Sequence, residues 1–473
     1  MMKHIRALVA IIATIFTVGG ATQALAAEAG SRPNIVVMLT DDQRWDAVGY
    51  VQRTVGGRFP FFRNSTPNID RIARDGVWFN NAFVVDSLCS PSRAAYLTGK
   101  YNHINGIVNN STPLPTGAQT YATLLRAAGY RTGYFGKWHM GSQRQRPGFD
   151  EYASFVGQGE YLNAPLLING VNTPTTGWVD DVTTGYAIDF IRRSAKGQQP
   201  FLMVLGFKTP HGPLDGRSAP PRTKQLFVGQ EVDTPPNAAT FPPYFVNREV
   251  STFGGENFRN YFRAVAGMDQ DVGRVLDALD AAKIADNTVV VFASDNGWHM
   301  REHGSYTRSG ADGEKRNAYE ASIRVPLFLR YPRLTGGGRK IGAVVLNIDL
   351  APTLLQLAGV PPRPDMQGKS WVPLLNGTAQ TIRAGMFYEY FREKGYIVPR
   401  IIAFRRNNLK LIEYPDHPEY PREFYDVLAD PWEMNNRIAD PSVQPQVQAM
   451  SIEMKNRAQQ LAYRIPPGAA PQR

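Results

Sequence analysis

Apolar runs and amphipathic segments alternate along the first 375 residues of the chain. The runs at residues 35–39, 201–207 and 288–293 are continuous, as in strands that are buried on both faces of a sheet. Residues 258–279 instead repeat apolar positions with the period of a helix that covers such a sheet. This alternation predicts an α/β domain with a mostly parallel sheet flanked by helices.

Shorter segments complete the predicted domain. Thr66 and Pro67 are typical of a helix N-terminus, and Gly76 ends that helix. Further strands are expected at residues 77–83, 131–135, 325–329 and 344–348, and further helices at residues 121–128, 182–194 and 349–357. Residues 209–250 are irregular and rich in proline, which indicates a long loop over the sheet edge.

The pattern changes after about residue 376. Short strand-like runs follow at hairpin spacing, and a helix-like segment comes after them; they lie at residues 386–391, 401–404, 409–413 and 442–462. We therefore predict a large α/β domain at residues 27–375 and a smaller antiparallel α+β subdomain at residues 376–473.

The N-terminus has the features of a secretory signal. A basic start with Lys3 and Arg6 precedes an apolar run at residues 8–18, and residues 24–26 form a small-x-small cleavage site. We predict a signal peptide at residues 1–26 and a mature protein in the periplasm or outside the cell; the alternative is an uncleaved membrane anchor. No later run is long and apolar enough to cross a membrane, so stable membrane insertion is not expected.

Charge and cysteine content narrow the classes of function. The formal net charge of +11 favours anionic partners, such as sulfated glycans or nucleic acid. We expect no nucleic-acid partner, because no basic run is interleaved with aromatic residues and no nucleic-acid-binding motif is present. The chain has one cysteine, Cys89, which excludes an intramolecular disulfide and leaves either a buried bystander or a reactive group.

Polar residues follow four predicted strands at the points where those strands end. They are Asp41 and Asp42, Lys137 and His139, His211, and Asp295 and Asn296. The carboxyl ends of parallel strands lie along one sheet edge, where ligands bind, so these side chains should meet there. Carboxylate and amide oxygens suit Ca²⁺ or Mg²⁺ better than zinc. Taken alone, Asp41-Asp42 is more simply explained as a turn or a helix cap, and Asp295-Asn296 as a turn. Only their shared position at strand ends favours a metal site.

Cys89 precedes a predicted helix. Pro91 is typical of the first helical position, which would place Cys89 just before the helix N-terminus. The helix dipole and Arg93 would both favour an anion there, and the same setting would activate a thiolate.

Residues 89–99 carry a longer pattern, Cys-Ser-Pro-Ser-Arg-Ala-Ala-Tyr-Leu-Thr-Gly. It resembles the type I sulfatase signature, Cys-x-Pro-Ser-Arg-x-x-x-Leu-Thr-Gly, at every fixed position. Residues 129–139 resemble the second signature of that family. Further matches extend the resemblance over nearly all of residues 33–440; they lie at Asp41-Asp42, Pro210-His211, Asp295-Asn296-Gly297, residues 315–326 and Tyr425-Asp426.

The resemblance implies the alkaline-phosphatase-like fold and a specific mechanism. In this family a maturation enzyme oxidises the signature cysteine to formylglycine, so Cys89 would become an aldehyde. Its hydrate would attack the sulfur of a sulfate ester and would then release sulfate. A divalent ion would be held by Asp41, Asp42, Asp295, Asn296 and the modified Cys89. By family habit the ion would be Ca²⁺, with Mg²⁺ as the alternative.

The resemblance also implies roles for the other polar residues. Arg93 and Lys137 would stabilise the ionised hydrate, and Lys137 and Lys315 would bind sulfate oxygens. His139 would act as the base that releases sulfate. His211, together with Lys315, would protonate the leaving oxygen.

Other functions are compatible with much of the same pattern. The fold is shared with phosphate and phosphonate monoester hydrolases, but the 7 histidines of the chain form no dense cluster for a second metal centre. An arylsulfatase of broad specificity, or a protein that binds sulfated glycans without cleaving them, is a further alternative. The sequences around Cys89, at residues 211–213 and at Lys315-Arg316 are similar to sulfatases that act on glucosamine 6-sulfate, which predicts exo action on a sulfated carbohydrate. Residues 298–303 would either reach the substrate or have a structural role.

Overall fold

A computed structural model of the chain describes residues 32–245, 254–304, 314–467 and 469, so the predicted signal peptide at residues 1–26 lies outside the described residues. In the described residues the strands are, in chain order, β1 (Asn34–Thr40), β2 (Val77–Phe79), β3 (Ala82–Phe83), β4 (Arg131–Lys137), β5 (Glu151–Phe155), β6 (Leu166–Ile168), β7 (Val171–Thr173), β8 (Phe201–Gly206), β9 (Thr288–Ser294), β10 (Leu327–Arg330), β11 (Arg339–Ile341), β12 (Val345–Leu346), β13 (Met386–Tyr390), β14 (Ile401–Arg406), β15 (Leu409–Glu413) and β16 (Glu423–Asp426). The α-helices of the same residues are α1 (Gly49–Val55), α2 (Pro67–Arg74), α3 (Cys89–Thr98), α4 (Asn102–Asn105), α5 (Tyr121–Ala127), α6 (Val179–Ser194), α7 (Glu256–Ala281), α8 (Glu320–Ile323), α9 (Pro332–Thr335), α10 (Leu350–Leu357), α11 (Val372–Leu375) and α12 (Gln444–Gln460). None of these helices combines the length and apolar character that a membrane span requires.

In the described part of the chain, ten strands form one large sheet, in the order β11-β2-β10-β9-β1-β8-β4-β5-β6-β7. The strands from β9 to β5 are parallel, and β10 and β6 flank them in the antiparallel sense. This confirms the predicted, mostly parallel sheet. Leu39 pairs with Gly206 on one side and with Ala293 on the other, so β1, β8 and β9 end side by side at one edge. The residues that follow these strands are thereby brought together.

Alternate residues of β1 enter two separate apolar layers, one on each face of the sheet. Ile35 and Val37 belong to one buried cluster, which α3, α5 and α10 cover. Val36 and Met38 belong to the other, which α2, α6 and α7 cover. Because helices pack on both faces, all the inner positions of this strand, residues 35–39, are apolar, which explains its continuous hydrophobic run.

A second sheet, with the antiparallel order β13-β14-β15-β16, confirms the antiparallel part predicted for the C-terminal region. Helix α12 packs against it through Val447, Met450 and Met454. Lys410 of β15 is buried and donates to the carbonyl of Ala318 (2.8 Å) and to Glu433 (2.7 Å). A domain boundary at residue 375 stays a prediction.

Several short strands differ from the sequence expectation. Residues 77–83 are two strands, β2 and β3, which belong to different sheets. The strand expected at residues 344–348 is limited to β12, because the side chain of Asp349 accepts a hydrogen bond from the N–H of Leu346 (2.7 Å) and starts a helical turn. The sequence pattern did not reveal β5, β6, β7, β11 and β16, whose apolar runs are short or interrupted by polar residues.

Helix α3 begins earlier than expected. The N–H of Ser92 donates to the carbonyl of Leu88 (2.8 Å), so Leu88 is the N-cap and Cys89 is the first helical residue. Pro91 is the third residue, where the missing N–H has no helical acceptor in any case. The prediction that Cys89 lies before the helix was therefore wrong: Cys89 is the first residue of the helix, although it remains at the N-terminal end.

Candidate active site

Asp41 and Asp42 follow β1 and form the centre of the site. Both side chains are buried beside ammonium groups: Lys137 donates to Asp41, and Lys315 donates to both oxygens of Asp42 (2.6 and 2.8 Å). Burial by itself raises the pKa of each carboxyl group, but Lys137 beside Asp41 and Lys315 beside Asp42 hold the two pKa values below the ordinary range. Both groups are therefore carboxylates.

Asp295 and Asn296 follow β9 and contact the same acidic pair. One oxygen of Asp295 accepts from the backbone N–H of Asp42 (3.1 Å), and the other accepts from Arg93 (2.8 Å). The amide nitrogen of Asn296 donates to Asp42 (2.6 Å), whereas its amide oxygen is buried and has no hydrogen-bond partner among the described residues. Burial and the nearby carboxylate of Asp41 raise the pKa of Asp295 to about 7.

These four residues fit a hard divalent cation. Carboxylate oxygens of Asp41, Asp42 and Asp295 lie within 4.8 Å of one another. A cation between them would remove the repulsion that raises the pKa of Asp295, and the unpartnered oxygen of Asn296 would become a ligand. An all-oxygen donor set is the one that Ca²⁺ and Mg²⁺ prefer.

The sulfur of Cys89 lies between this acidic cluster and Lys315. Its Sγ is 3.5 Å from Oδ1 of Asp41 and 3.2 Å from Nζ of Lys315, and the side chain is fully buried. Burial raises the pKa of the thiol to about 12. Lys315 acts to lower this pKa, but Asp41 and Asp42 act in the opposite direction. The direction of this shift is opposite to the thiolate activation that the helix N-terminus and Arg93 were expected to produce.

Arg93 and Lys137 lie next to each other at the end of β4. The guanidinium of Arg93 donates to the carbonyl of Lys137 (2.8 Å) as well as to Asp295. Burial alone would lower the pKa of Arg93, but the carboxylates of Asp295 and Asp41 raise it above its ordinary value. The ammonium of Lys137 is fully buried and also donates to the side-chain oxygen of Gln158 (2.6 Å). Arg93 is thus a permanent cation beside the carboxylates.

His139 and His211 are both neutral. Burial, followed by the charge of Lys137, holds the pKa of His139 well below its ordinary value. Burial likewise lowers the pKa of His211 to about 3, although Asp41 and Asp42 act against it. Nε2 of His211 lies 3.8 Å from Asp42, and its side chain is 21% exposed, so it borders the opening of the site.

Two residues of the site hold a left-handed backbone. The φ angles are 63° at Asp42 and 50° at His139, a region that non-glycine residues rarely adopt. The surrounding structure holds both: the Tyr261 hydroxyl donates to the carbonyl of Asp42 (2.9 Å), and the Ser90 hydroxyl donates to that of His139. Strain of this kind is concentrated at functional sites.

The structure brings together every residue that the sequence predicted for the site. They are Asp41, Asp42, Cys89, Arg93, Lys137, His139, His211, Asp295, Asn296 and Lys315. Their individual catalytic and ligand roles stay predictions.

Two further residues of the site were missed. Nζ of Lys208 donates to the carbonyl of Gln158 (2.9 Å) and lies 4.8 Å from the ring of Tyr161. Burial and the charge of Lys137 lower the pKa of Lys208 to about 8. Lys208 follows β8, so the strand-end rule could have found it. Gln158 follows β5, a strand that the sequence pattern did not reveal.

The loop after β13 forms a wall beside Cys89. Arg316 donates to Glu393 (2.8 Å) and lies 3.6 Å over the ring of Tyr396. Glu393 also accepts from the N–H of Asn110, whose side chain accepts from the N–H of Ser90 (3.1 Å). Glu393 was not identified because it belongs to the other predicted domain.

Residues 298–303 have a structural role. Trp298 stacks on Tyr261 with ring centroids 5.1 Å apart, and His303 stacks on Tyr319 at 3.7 Å. Glu302 is buried and pairs with two arginines of the segment after β1. These contacts hold the loop in place, and whether any of its residues reaches the substrate stays a prediction.

Comparison with known proteins identifies the family. The family described as Sulfatase matches residues 33–360, a range that contains the acidic cluster, Cys89 and Lys315. The chain belongs to the sulfatase family. A second family, described as N-sulphoglucosamine sulphohydrolase, C-terminal, matches residues 309–460. This sulfatase is a hydrolase of sulfate esters.

Relatives of this sulfatase include enzymes named for carbohydrate substrates. The N-acetylglucosamine-6-O-sulfatase of Bacteroides thetaiotaomicron is 30% identical over 86% of this chain and 83% of that protein. The ulvan-active sulfatase of Formosa agariphila is 30% identical over 87% of this chain and 78% of that protein. A solved structure described as a complex with the substrate D-glucosamine-2-N,6-O-disulfate has a TM-score of 0.81 and 28% identity; it covers 92% of this chain and 99% of its own.

The same fold occurs in a protein with another named activity. The phosphonate monoester hydrolase of Agrobacterium radiobacter has a TM-score of 0.71 and 21% identity, over 93% of this chain and all of that one (100%). At this identity the likeness concerns the fold alone, and it agrees with the predicted alkaline-phosphatase-like architecture.

Proposed function

We propose that this sulfatase removes sulfate from a carbohydrate by means of a formylglycine made from Cys89. The observation that carries the proposal is the position of Cys89, 3.2 Å from the ammonium of Lys315 and 3.5 Å from the carboxylate of Asp41. The names of the relatives, which refer to sulfated glucosamine and ulvan, support a sugar as the substrate.

The state of the thiol supports its conversion before catalysis. A thiol with a pKa of about 12 is protonated at neutral pH and is a poor nucleophile. The aldehyde made from Cys89 would be hydrated, and one hydroxyl would attack sulfur as the bond from sulfur to the sugar oxygen breaks. Arg93 and Lys137 would stabilise the negative charge of the attacking oxygen.

The acidic cluster is the proposed metal site. Asp41, Asp42, Asp295 and Asn296, with the converted Cys89, would hold Ca²⁺, and Mg²⁺ is the alternative. A bound ion would supply positive charge that lowers the pKa of the nucleophile and balances the charge of sulfate.

Lys315, His211 and His139 would have complementary roles in proton transfer. Burial would lower the pKa of Lys315, but Asp42, Cys89 and Asp41 raise it well above its ordinary value. Lys315 would therefore bind a sulfate oxygen as a cation. The negative charge of the bound substrate would raise the pKa of His211 toward its protonated form, which, with Lys315, would donate a proton to the leaving sugar oxygen. His139, held neutral, would accept the proton of the second hydroxyl as the aldehyde re-forms and the carbon–oxygen bond to sulfate breaks.

A phosphate monoester is a weaker candidate. The groups able to hold a metal, as far as the described residues show, both include Asp41 and so form one centre. A phosphate monoester dianion needs more positive charge than a sulfate monoanion, and that charge usually comes from additional metal ions. The single centre therefore favours sulfate.

A substrate panel tests the proposal. The matured enzyme would be assayed on sulfated mono- and oligosaccharides, an aryl sulfate and a phosphonate monoester, with the Cys89→Ala variant as the matched control. We expect desulfation of a sugar, and no activity in the variant. Activity confined to the aryl sulfate would refute the sugar assignment, and sugar binding without turnover would favour the glycan-binding alternative.

The proposal also requires a maturation enzyme and export. We propose that a formylglycine-generating enzyme acts on Cys89 and that residues 1–26 direct the chain to the periplasm or the outside of the cell. Cell fractionation and N-terminal sequencing test the export. A full-length chain that stays in the membrane fraction would favour the anchor instead.

A further inference from the structure

A groove of about 670 Å³ opens beside the active site. This volume falls within the range of about 300–1,000 Å³ that small-molecule sites occupy. Its polar lining consists of Ser142, Arg144, Gln158, Glu160 and Asn172.

Gln158 connects the groove to the catalytic residues. Gln158 is itself exposed and lines the groove, yet its side-chain oxygen accepts from the fully buried ammonium of Lys137 (2.6 Å). Its backbone carbonyl accepts from Lys208. The side chain of Gln158 is therefore shared by the surroundings of Lys137 and the lining of the groove.

The topology of the sheet explains why the groove lies there. Strands β4 and β5 are parallel, so the loops after them leave the same sheet edge. The loop after β4 carries His139 and continues to Arg144, and the loop after β5 carries Gln158 and Glu160. The β6–β7 hairpin forms the outer wall, where Arg144 donates to the side chain of Asn172 (3.2 Å).

The lining is suited to a sugar. Arg144, Glu160 and Asn172 are exposed and offer donors and acceptors at fixed positions for hydroxyl groups. Val156, which is 37% exposed, adds an apolar surface of the kind that packs against the carbon–hydrogen face of a sugar ring. Arg144 is the positively charged residue of the lining, and its planar guanidinium can form two parallel hydrogen bonds to an acidic substituent.

We propose that this groove binds a second sugar unit of the glycan, next to the unit that loses sulfate, and that Arg144 contacts an acidic group on that second unit. The inference rests on the proposed carbohydrate substrate and extends it, because it makes an oligosaccharide, rather than a monosaccharide, the preferred substrate. Arg144 has no part in the chemical step.

Kinetics on two matched sugars test the inference. The substrates are a sulfated monosaccharide and an acidic tetrasaccharide that carries the same sulfated unit at its end. Arg144→Ala should lower kcat/KM for the tetrasaccharide about ten-fold through KM, with kcat and the monosaccharide unchanged, because the lost contact is made before and during the reaction alike. Arg192→Ala, an exposed arginine of α6 outside the groove, is the matched control.

Two results would overturn the inference: an unchanged KM for the tetrasaccharide, or an equal loss on both sugars. A binding experiment separates this failure from failure of the proposed function. In calorimetry with the full chain carrying Cys89→Ala, the tetrasaccharide should bind at least several-fold more tightly than the monosaccharide, and adding Arg144→Ala should abolish the difference. Equal affinities of the Cys89→Ala variant for the two sugars would refute the groove even if the matured enzyme desulfates sugars. Tighter binding of the tetrasaccharide by this variant, together with no turnover by the matured enzyme, would refute only the proposed function.

Discussion

The ammonium nitrogen of Lys315 lies 3.2 Å from the sulfur of Cys89. The same nitrogen contacts both carboxylate oxygens of Asp42, so one buried cation touches the position of the nucleophile and a proposed metal ligand at once. In a site closed to water this charge acts more strongly than at the surface. The arrangement explains why a lysine far along the chain belongs to the centre of the site.

Replacement of Lys315 by alanine should abolish most of the activity. We expect kcat to fall by about 10²–10³-fold, the usual effect of losing one charged group that stabilises a transition state. Steady-state kinetics on the sulfated sugar measure it, with the exposed Lys196→Ala as the matched control. An unchanged kcat in Lys315→Ala would contradict the role.

Removal of the divalent ion should inactivate and destabilise the enzyme. Treatment with a chelator leaves Asp41, Asp42 and Asp295 in mutual repulsion, so both activity and Tm should fall, and Ca²⁺ should restore both. Asn296→Ala should require more Ca²⁺ for the same recovery, because a buried ligand oxygen is lost. If Asn296→Ala and the exposed control Asn408→Ala show the same Ca²⁺ dependence, Asn296 is not a ligand.

Cys89 should carry an aldehyde in the active protein. When the chain is produced together with a maturation enzyme, the peptide that contains Cys89 should be lighter than its cysteine form and should react with a hydrazide. Mass spectrometry of that peptide measures both. Full activity of a preparation that contains only the unmodified cysteine would disprove the formylglycine mechanism.

The affinity for an anionic substrate should weaken above about pH 8. Lys208 has a pKa lowered to about 8 by burial and by Lys137, so it is a cation below that pH and neutral above it. As the pH rises through this value the site loses one positive charge, and KM should rise. Lys208→Arg should shift that rise to higher pH, because arginine stays charged, and Lys208→Met should show a high KM throughout. The measurement is KM from about pH 6 to about pH 10; a profile shared by all three proteins would exclude Lys208.

Lys410 should be important for stability rather than for catalysis. Its buried ammonium contacts Glu433 (2.7 Å) and Glu320 (2.9 Å), and Lys410→Met would leave these buried carboxylates without that charge. We expect a loss of about 3–5 kcal/mol in the free energy of unfolding, measured by equilibrium denaturation. Arg406→Met, which breaks an exposed ion pair with Glu453, should cost less than about 1 kcal/mol. Equal effects of the two substitutions would contradict the expectation.

The central strands were predictable because of where they lie. β1, β8 and β9 are covered on both faces, so their sequences are continuously apolar and readily recognised. β5 to β7, toward one end of the sheet, lack this constraint and were missed. Because β5 was not predicted, Gln158, which follows it, was not identified as a residue that contacts Lys137 and lines the groove.

The sequence by itself determined the parallel α/β architecture, the family, and most of the residues that form the site, because strand ends and the pattern after Cys89 are local features. Only the tertiary structure decided the state of those residues. Whether the thiol of Cys89 is protonated, whether His211 is neutral and which oxygen of Asn296 lacks a partner all depend on burial and on charges from distant parts of the chain. Such electrostatic effects act through space, and the order of residues along the chain does not contain them.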